Sequence, residues 1–459
     1  MRCLVGIDIG TSTTKCLLIS ESGEVIHLSK RANSYFTDFP GRVEFDAEAR
    51  YNGICSLIKS AVRSLPAQYH VVAVAISGAS GNTLLLDENK SPIRNAIGWQ
   101  DERAKTFCQS DGFPFTSEHV RSICGWRMSA GFPLGILSWM KQNRADHYLS
   151  ATYHATDFVY YNYRLSGNWA IDRSTATNFY LVDQVRMEYH QPFLDYLQIE
   201  KETLPCIIGS GQPIGRITKQ ASLETGLPED TVIVAGAFDH PSSARGTGMM
   251  NVGDLLISCG TSWVGFFPMK SRDEVWRHNM LIDPFLAPEG AWGGMFSFTS
   301  LGDYINRYIR ILFNDSEDRY KRFEAAVIQA LDSSNKPSFD VMQQGVHPER
   351  YVSKMLELYE VPELCLSMLV SVADMLYKRI ESCKQSGIPV KRVTLVGGFA
   401  EMEVWKAIFN EKLGLTVNGM KHGSHSGCFG AAMLAGMGVG IFNNEWDGFT
   451  KMHLSTMIL

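Results

Sequence analysis

Cys3-Leu-Val-Gly-Ile-Asp-Ile-Gly-Thr-Ser-Thr-Thr-Lys-Cys-Leu-Leu-Ile19 reads as strand, turn, strand. An apolar run leads to Asp8, a small polar turn follows from Gly10 to Thr13, and a second apolar run leaves it. That pattern is a β-hairpin with a donor-rich tip. Gly10 lets backbone approach a ligand without a Cβ in the way. The N–H groups and hydroxyls of Thr11, Ser12 and Thr13 can hold phosphate oxygens. Lys15 adds positive charge, and Asp8 is a candidate ligand for Mg²⁺, which takes carboxylates, waters and phosphate oxygens. A plain hairpin whose Asp8 and Thr11 fix the turn explains the same residues.

A second copy separates these readings. Leu255-Leu-Ile-Ser-Cys-Gly-Thr-Ser-Trp-Val-Gly-Phe-Phe267 repeats the form, with Gly260, Thr261 and Ser262 at the tip. Ser258 stands where the first copy has Asp8. Two loops that hold one polyphosphate need one metal-holding carboxylate, and a second would repel it.

The chain has 459 residues, which predicts two or more domains. With 45% hydrophobic and 20% charged residues it has an ordinary globular balance. A net charge of -5 gives no reason to expect nucleic acid or an anionic membrane as partner. No apolar run reaches the ~20 residues of a membrane span, and the N-terminus does not read as a signal peptide. The 10 cysteines show no paired spacing, so they are expected as reduced thiols in a cytoplasmic protein without structural zinc.

Beyond the first hairpin, Val25 to Leu28 continues the meander. Asp46 looks like an N-cap, and Tyr51, Ile54, Ile58, Val62 and Leu65 recur at helical spacing, predicting a helix over 47–65. Val71 to Ile76 is a buried strand ending in the turn Ser77-Gly-Ala-Ser-Gly-Asn82. The second half repeats this unit with a helix over 366–383, a strand over 393–396 and the turn Gly397-Gly398. We read an internal duplication, giving two α/β domains that face each other across a cleft.

Further pieces lie between and beyond these landmarks. Trp99 can stack on a sugar with Asp101 and Arg103 bonding its hydroxyls, or the stretch is a strand end before a solvated helix. Ala155 to Gly167 is a glycine-capped helix, with Asp172 and Ser174 in a polar turn after it. Asp239 ends the buried strand that starts at Val232, which suits a general base. It also suits a cap for a helix begun by Pro241. Gly427 to Gly436 reads as a small-residue helix packed closely on a sheet. Gly397 and Gly398 form a flat turn on which an adenine can lie. Two phosphate loops, one metal carboxylate and one base are the equipment of ATP-dependent phosphoryl transfer. The G-x-x-x-x-G-K-[ST] loop and the H-R-D and D-F-G signatures are absent.

Asp8 to Lys15, Trp99-Gln-Asp-Glu-Arg103, Gly236-Ala-Phe-Asp239, Gly260-Thr-Ser262, Gly397-Gly398 and Gly430-Ala-Ala432 occur in the order seen in the FGGY carbohydrate kinases. The chain resembles that family, within the actin/Hsp70/hexokinase superfamily, from end to end. The resemblance implies two ribonuclease H-like (actin-like ATPase) domains, over 1–245 and 246–459. The first would carry the sugar site, the first phosphate loop and the base. The second would carry the other phosphate loop and the adenine site.

Carried over by position, Gly10, Thr11, Ser12, Thr13, Lys15, Gly260 and Thr261 bind phosphate. Gly397, Gly398 and Met402 bind adenine, Asp239 is the base, and Asp8 holds Mg²⁺. Ser77, Gly78, Ala79, Ser80, Trp99, Asp101, Arg103 and Asp239 read the sugar. The implied partners are ATP or ADP with Mg²⁺ and a small sugar, ketose or polyol, while a homodimer is left open. Xylulokinases typically show Gln-Met-His after the glycine of the first turn, and glycerol kinases an Arg-Glu pair. This chain has neither, so the sugar is not named. Two other readings are a sugar sensor without catalysis and an actin-like or Hsp70-like ATPase controlling a partner. The base and the sugar-reading cluster argue against the ATPase, and intact Asp8 and Asp239 argue against the sensor. The stretch Gly293 to Gly302 is expected to add to the nucleotide pocket.

Overall fold

The computed structural model describes every residue except 334–336 and 343–346. Its residues group into two compact units. Unit 1 comprises 1–248, 270–294 and 425–456, and unit 2 comprises 249–269, 295–424 and 457–459. The first crossing falls close to the expected division at 245/246. A single cut nevertheless fails, because 270–294 and 425–456 return to unit 1.

In unit 1, Arg2–Ile9, Thr13–Ser20 and Val25–Ala32 form an antiparallel meander. His70–Gly78 lies parallel to Arg2–Ile9, and Val232–Phe238 lies parallel to His70–Gly78. Pro213–Arg216 closes the far edge of this six-stranded sheet in antiparallel sense. The central strands are apolar almost throughout because both faces are covered. The helix Ala47–Arg63 starts where Asp46 accepts a hydrogen bond from the Ala49 N–H, a cap worth about 1 kcal/mol. It buries Tyr51, Ile54 and Ile58, the face that sequence spacing marks.

Small residues explain why the C-terminal segment belongs to unit 1. The helix Ser426–Gly438 is buried from Ser426 to Gly436 and packs on Arg2–Ile9, His70–Gly78 and the helix Asp239–Gly246. A Cβ on Gly6 would lie 2.0 Å from the Cys428 carbonyl oxygen, and one on Gly430 would lie 1.8 Å from that of Ser242. Backbone therefore meets backbone on two sides of this helix. The expected close-packing role of Gly427 to Gly436 is what the structure shows.

Unit 2 repeats the strand plan. Asp254–Cys259 pairs antiparallel with Trp263–Met269 and parallel with Arg392–Val396, and Val417–Asn418 follows in parallel. Trp292–Phe298 lies beyond Trp263–Met269. With Trp292–Phe298 in the place of Val25–Ala32, these five strands lie in the order of their counterparts in unit 1, as an internal duplication predicts. The helix Val361–Gln385, longer than expected, begins with a capping box between Glu360 and Glu363. It packs with Arg319–Ala330 and Glu403–Leu413. Among the described residues no helix is long and apolar enough to cross a membrane.

Candidate functional site

In unit 1 the first loop is a tight turn closed by the Gly10 N–H donating to the Thr13 carbonyl at 3.0 Å. Its brace is a residue that sequence reading passed over. Asn33 donates from its side chain to the Gly10 carbonyl at 2.7 Å and accepts from the Thr14 hydroxyl at 2.7 Å. Its own N–H donates to the Ser12 carbonyl. The Tyr35 hydroxyl donates to the Thr11 carbonyl at 2.9 Å. These bonds occupy loop carbonyls that would otherwise repel an anion.

Asp8 and Lys15 are register partners across the hairpin, and Lys15 Nζ lies 3.3 Å from Asp8 Oδ2. Burial works against the Lys15 charge, but the Asp8 carboxylate overcomes it and raises the Lys15 pKa. Asp8 Oδ1 is buried with no hydrogen-bond partner among the described residues. A Cβ on Gly427 would sit 2.8 Å from Asp8 Cγ. Only glycine lets the start of the Ser426–Gly438 helix come this close. No cluster of three metal-binding side chains exists among the described residues. A buried carboxylate oxygen lacking a partner fits Mg²⁺, which takes one or two carboxylates and completes its shell with water and phosphate.

Asp239 follows the strand Val232–Phe238 and is the first residue of the helix Asp239–Gly246. The reading of Asp239 as cap to a helix begun by Pro241 is corrected here. Phe238 holds the cap position, and Asp239 Oδ1 accepts from the next N–H, that of His240, at 2.8 Å. The Asp239 side chain is 24% exposed. Burial raises its pKa and the Asp8 charge adds to the rise, while His240 and Lys15 oppose it. Its strand leaves regular register between Ala235 and Phe238. The N–H groups of Ala237 and Phe238 donate to the hydroxyls of Ser77 and Ser174. Ser174 lies in the helix Arg173–Phe179 rather than in the expected polar turn, because Asp172 accepts from the Thr175 N–H and caps a helix.

The turn after His70–Gly78 divides into bracing and open groups. Ser77 is fully buried and accepts from Ala237 and Ser242. A Cβ on Gly78 would meet the Ile9 carbonyl oxygen at 2.3 Å. The Ala79 N–H donates to that carbonyl, while the buried Ser80 hydroxyl has no partner among the described residues. Asn82 donates to Asp157 and accepts from the Trp99 N–H at 3.0 Å, so it seats Trp99. A Cβ on Gly81 would lie 2.3 Å from the Phe132 ring. Phe132 stacks on Tyr180 and touches Trp99 and Trp126. An aromatic wall thus fills the space beside this turn, a feature the sequence reading missed. Asp101 is 2% exposed and accepts from Val43 N–H and from Arg103 backbone and guanidinium. Arg103 also donates to Glu44. Asp101 and Arg103 therefore hold the chain around Trp99, and Trp99 remains partly exposed.

In unit 2 the second loop joins Asp254–Cys259 to Trp263–Met269, with Gly260, Thr261 and Ser262 at its tip. The Ser300 N–H donates to the Ser262 hydroxyl, and the Asp303 N–H donates to the Thr261 carbonyl. A Cβ on Gly302 would lie 1.9 Å from the Gly260 carbonyl oxygen. Ser300 and Gly302, where the strand Trp292–Phe298 passes into the helix Leu301–Phe313, thus pack on this loop. Gly397 follows the strand Arg392–Val396, and its Cβ would lie 2.7 Å from the Cys259 carbonyl oxygen. A Cβ on Gly398 would meet nothing within 4 Å, so that face of the turn is open. Met402 is buried at the start of the helix Glu403–Leu413. Tyr320 contacts the Phe399 ring at 6.1 Å and lines a cavity of about 860 Å³ with Asp303, Asn306 and Arg307.

The FGGY family of carbohydrate kinases matches through its N-terminal domain over residues 3–246 and its C-terminal domain over 255–439. The xylulose kinase of Bacillus subtilis is 24% identical over 464 residues, covering 97% of this chain and 90% of that protein. Among solved structures, xylulose kinase from Rhodospirillum rubrum has a TM-score of 0.79 at 20% identity and covers 98% of this chain and 92% of that one. Plasmodium falciparum glycerol kinase with ADP has a TM-score of 0.82 at 16% identity, covering 100% and 94%. At these identities the structures establish the shared actin-like ATPase fold. The paired domain matches decide the family: this chain belongs to the FGGY family of carbohydrate kinases.

Proposed function

We propose that this chain transfers the γ-phosphate of ATP to a hydroxyl of a sugar, ketose or polyol, with Asp239 as general base and Mg²⁺ held near Asp8. The observation that carries this reading is Asp239 itself. It is a partly exposed carboxylate at the end of a buried parallel strand, with its pKa raised and the Asp8–Lys15 pair near enough to act on it. In the transfer, the acceptor O–H proton passes to Asp239 as the acceptor oxygen bonds the γ-phosphorus. The bond from that phosphorus to the bridging oxygen breaks and ADP leaves.

The backbone and hydroxyls of Gly10 to Thr13, with Lys15, bind phosphate oxygens. In unit 2, Gly260 and Thr261 form the second phosphate loop, and Gly397, Gly398 and Met402 form the adenine site. Mg²⁺, when bound, neutralises charge on the phosphates. The acceptor site uses Trp99, the free Ser80 hydroxyl and the backbone of Gly78 and Ala79. Ser77, Asp101 and Arg103 support these groups from behind.

The relatives named above are xylulose and glycerol kinases, so a ketopentose and a triol head the candidates. The test is ATP consumption by purified protein with Mg²⁺ against a panel of ketoses, aldoses and polyols. Stimulation by one member at least tenfold over the sugar-free rate supports the kinase reading and names the acceptor. Tight ATP binding with no stimulation across the panel overturns it in favour of a sensor.

A further inference from the structure

We propose that Asp283 is a positioning residue for Asp239, acting through the Ser174 hydroxyl on the backbone N–H of Phe238. This rests on Asp239 being the base, as proposed above.

The argument begins at the irregularity in the base-bearing strand. Register with His70–Gly78 is lost between Ala235 and Phe238. Such bulges redirect the side chains that follow, and Asp239 is the next residue. The Phe238 N–H donates to Ser174 Oγ at 3.1 Å. A hydroxyl has one hydrogen, and where it points decides which side of the oxygen can accept. Ser174 donates that hydrogen to Asp283 Oδ2 at 2.7 Å. Asp283 thereby turns the Ser174 lone pairs towards Phe238. Without this acceptor, the Ser174 hydrogen is free to rotate towards the Phe238 N–H and the bond fails.

Ser174 and Asp283 are each 1% exposed, so water cannot substitute for either partner. The helix Asp239–Gly246 is held from the same segment further along. Arg245 donates from its guanidinium to the Phe285 carbonyl, two residues past Asp283. The residues around Asp283 therefore fix the base-bearing helix at its first turn and again at its last.

A carboxylate is a costly way to make one hydrogen bond in a dry site. Asp283 Oδ1 has no partner among the described residues. Burial pushes the Asp283 carboxyl up to about 7, and the charges of Asp172 and Asp239 add to the rise, against the Ser174 bond and Arg245. An Asn at this position would offer Ser174 the same carbonyl acceptor without that cost. The acceptor, not the charge, is what the positioning role requires.

The test uses full-length Ser174→Ala, Ser174→Thr, Asp283→Ala and Asp283→Asn. Two readouts are taken: amide hydrogen exchange over 236–242, and ATP-dependent turnover with the acceptor found in the panel. Ser174→Ala and Asp283→Ala should each speed exchange at Phe238 at least tenfold. Each should lower kcat at least tenfold with KM for ATP within twofold. Ser174→Thr and Asp283→Asn should keep kcat within about threefold of wild type. The Ala double variant should lose no more than the worse single one, as expected of groups acting in one chain.

Faster exchange with unchanged kcat would overturn the positioning role, as would Asp283→Asn losing as much as Asp283→Ala. If Asp283→Ala does not fold, the Ser174 pair carries the same decision. Normal turnover in Asp239→Asn would overturn the base itself while leaving the exchange result standing, so the two failures are distinguishable.

Discussion

The two hairpins, Arg2–Ser20 in unit 1 and Asp254–Met269 in unit 2, share a plan and differ in charge. Each tip carries Gly-Thr-Ser, at Gly10 and at Gly260. In each unit the parallel neighbour of the first strand ends in a glycine seated against that strand, Gly78 on Ile9 and Gly397 on Cys259. In the first copy Asp8 pairs with Lys15 across the hairpin; in the second, Ser258 faces Val264. The shared glycines preserve the shape of a loop that can bind phosphate. The unshared carboxylate puts the proposed metal site, the Lys15 ammonium group and the proposed base Asp239 in one copy. The two halves share a scaffold, and a few side chains set the first apart.

The largest test of that difference is to make the first copy resemble the second. Asp8→Ser should reduce turnover by about 10²-fold or more, since it removes the carboxylate of the proposed metal site. Activity within tenfold of wild type would break the distinction between the copies. The reverse change, Ser258→Asp, places a second negative charge at a phosphate loop. It should weaken ATP binding about tenfold, read by calorimetry, and unchanged affinity would show that the second loop does not meet phosphate. Gly78→Ala and Gly397→Ala each drive a methyl into a carbonyl, so each should cost about 1–3 kcal/mol in denaturant unfolding. A cost at one site only would show that the copies do not share this joint.

Smaller effects follow from titration. Asp239 must be ionised to take a proton, and its pKa is raised. The acid limb of kcat/KM should therefore inflect above the ordinary carboxylate value of 3.8, and an inflection at or below 3.8 would contradict the burial argument. Asp283 binds its proton more tightly folded than unfolded, so its contribution to stability falls as pH rises from 3.8 towards about 7. Asp283→Asn should then gain on wild type across that window in urea melts, with no relative change below it. The smallest effect is Asp46→Ala, which removes a helix cap and should cost about 1 kcal/mol.

Much of this was legible in the chain. The hairpins, the Asp46 cap and the recurring helix, strand and glycine turn are local patterns, and local patterns survive in sequence. The strand that ends beside Asp239 was legible for the same reason. What stayed hidden was long-range. Asn33 braces Gly10 from just past the strand Val25–Ala32, and no spacing rule connects them. Asp283 meets Ser174 across 109 positions. The return of 425–456 to unit 1 depends on backbone contacts at Gly6 and Gly430, which a run of small residues suggests without naming a partner. The bonds that tie Asp101 to Val43 and Arg103, and Arg103 to Glu44, were hidden too, because a motif does not show which polar atoms are already used.

The central claim is tested most directly by single-turnover phosphoryl transfer in Asp239→Asn with its ADP affinity measured alongside. A general base contributes roughly 10²–10⁴-fold. The account predicts a loss in that range with ADP affinity within about threefold of wild type. Transfer at near the wild-type rate would contradict it.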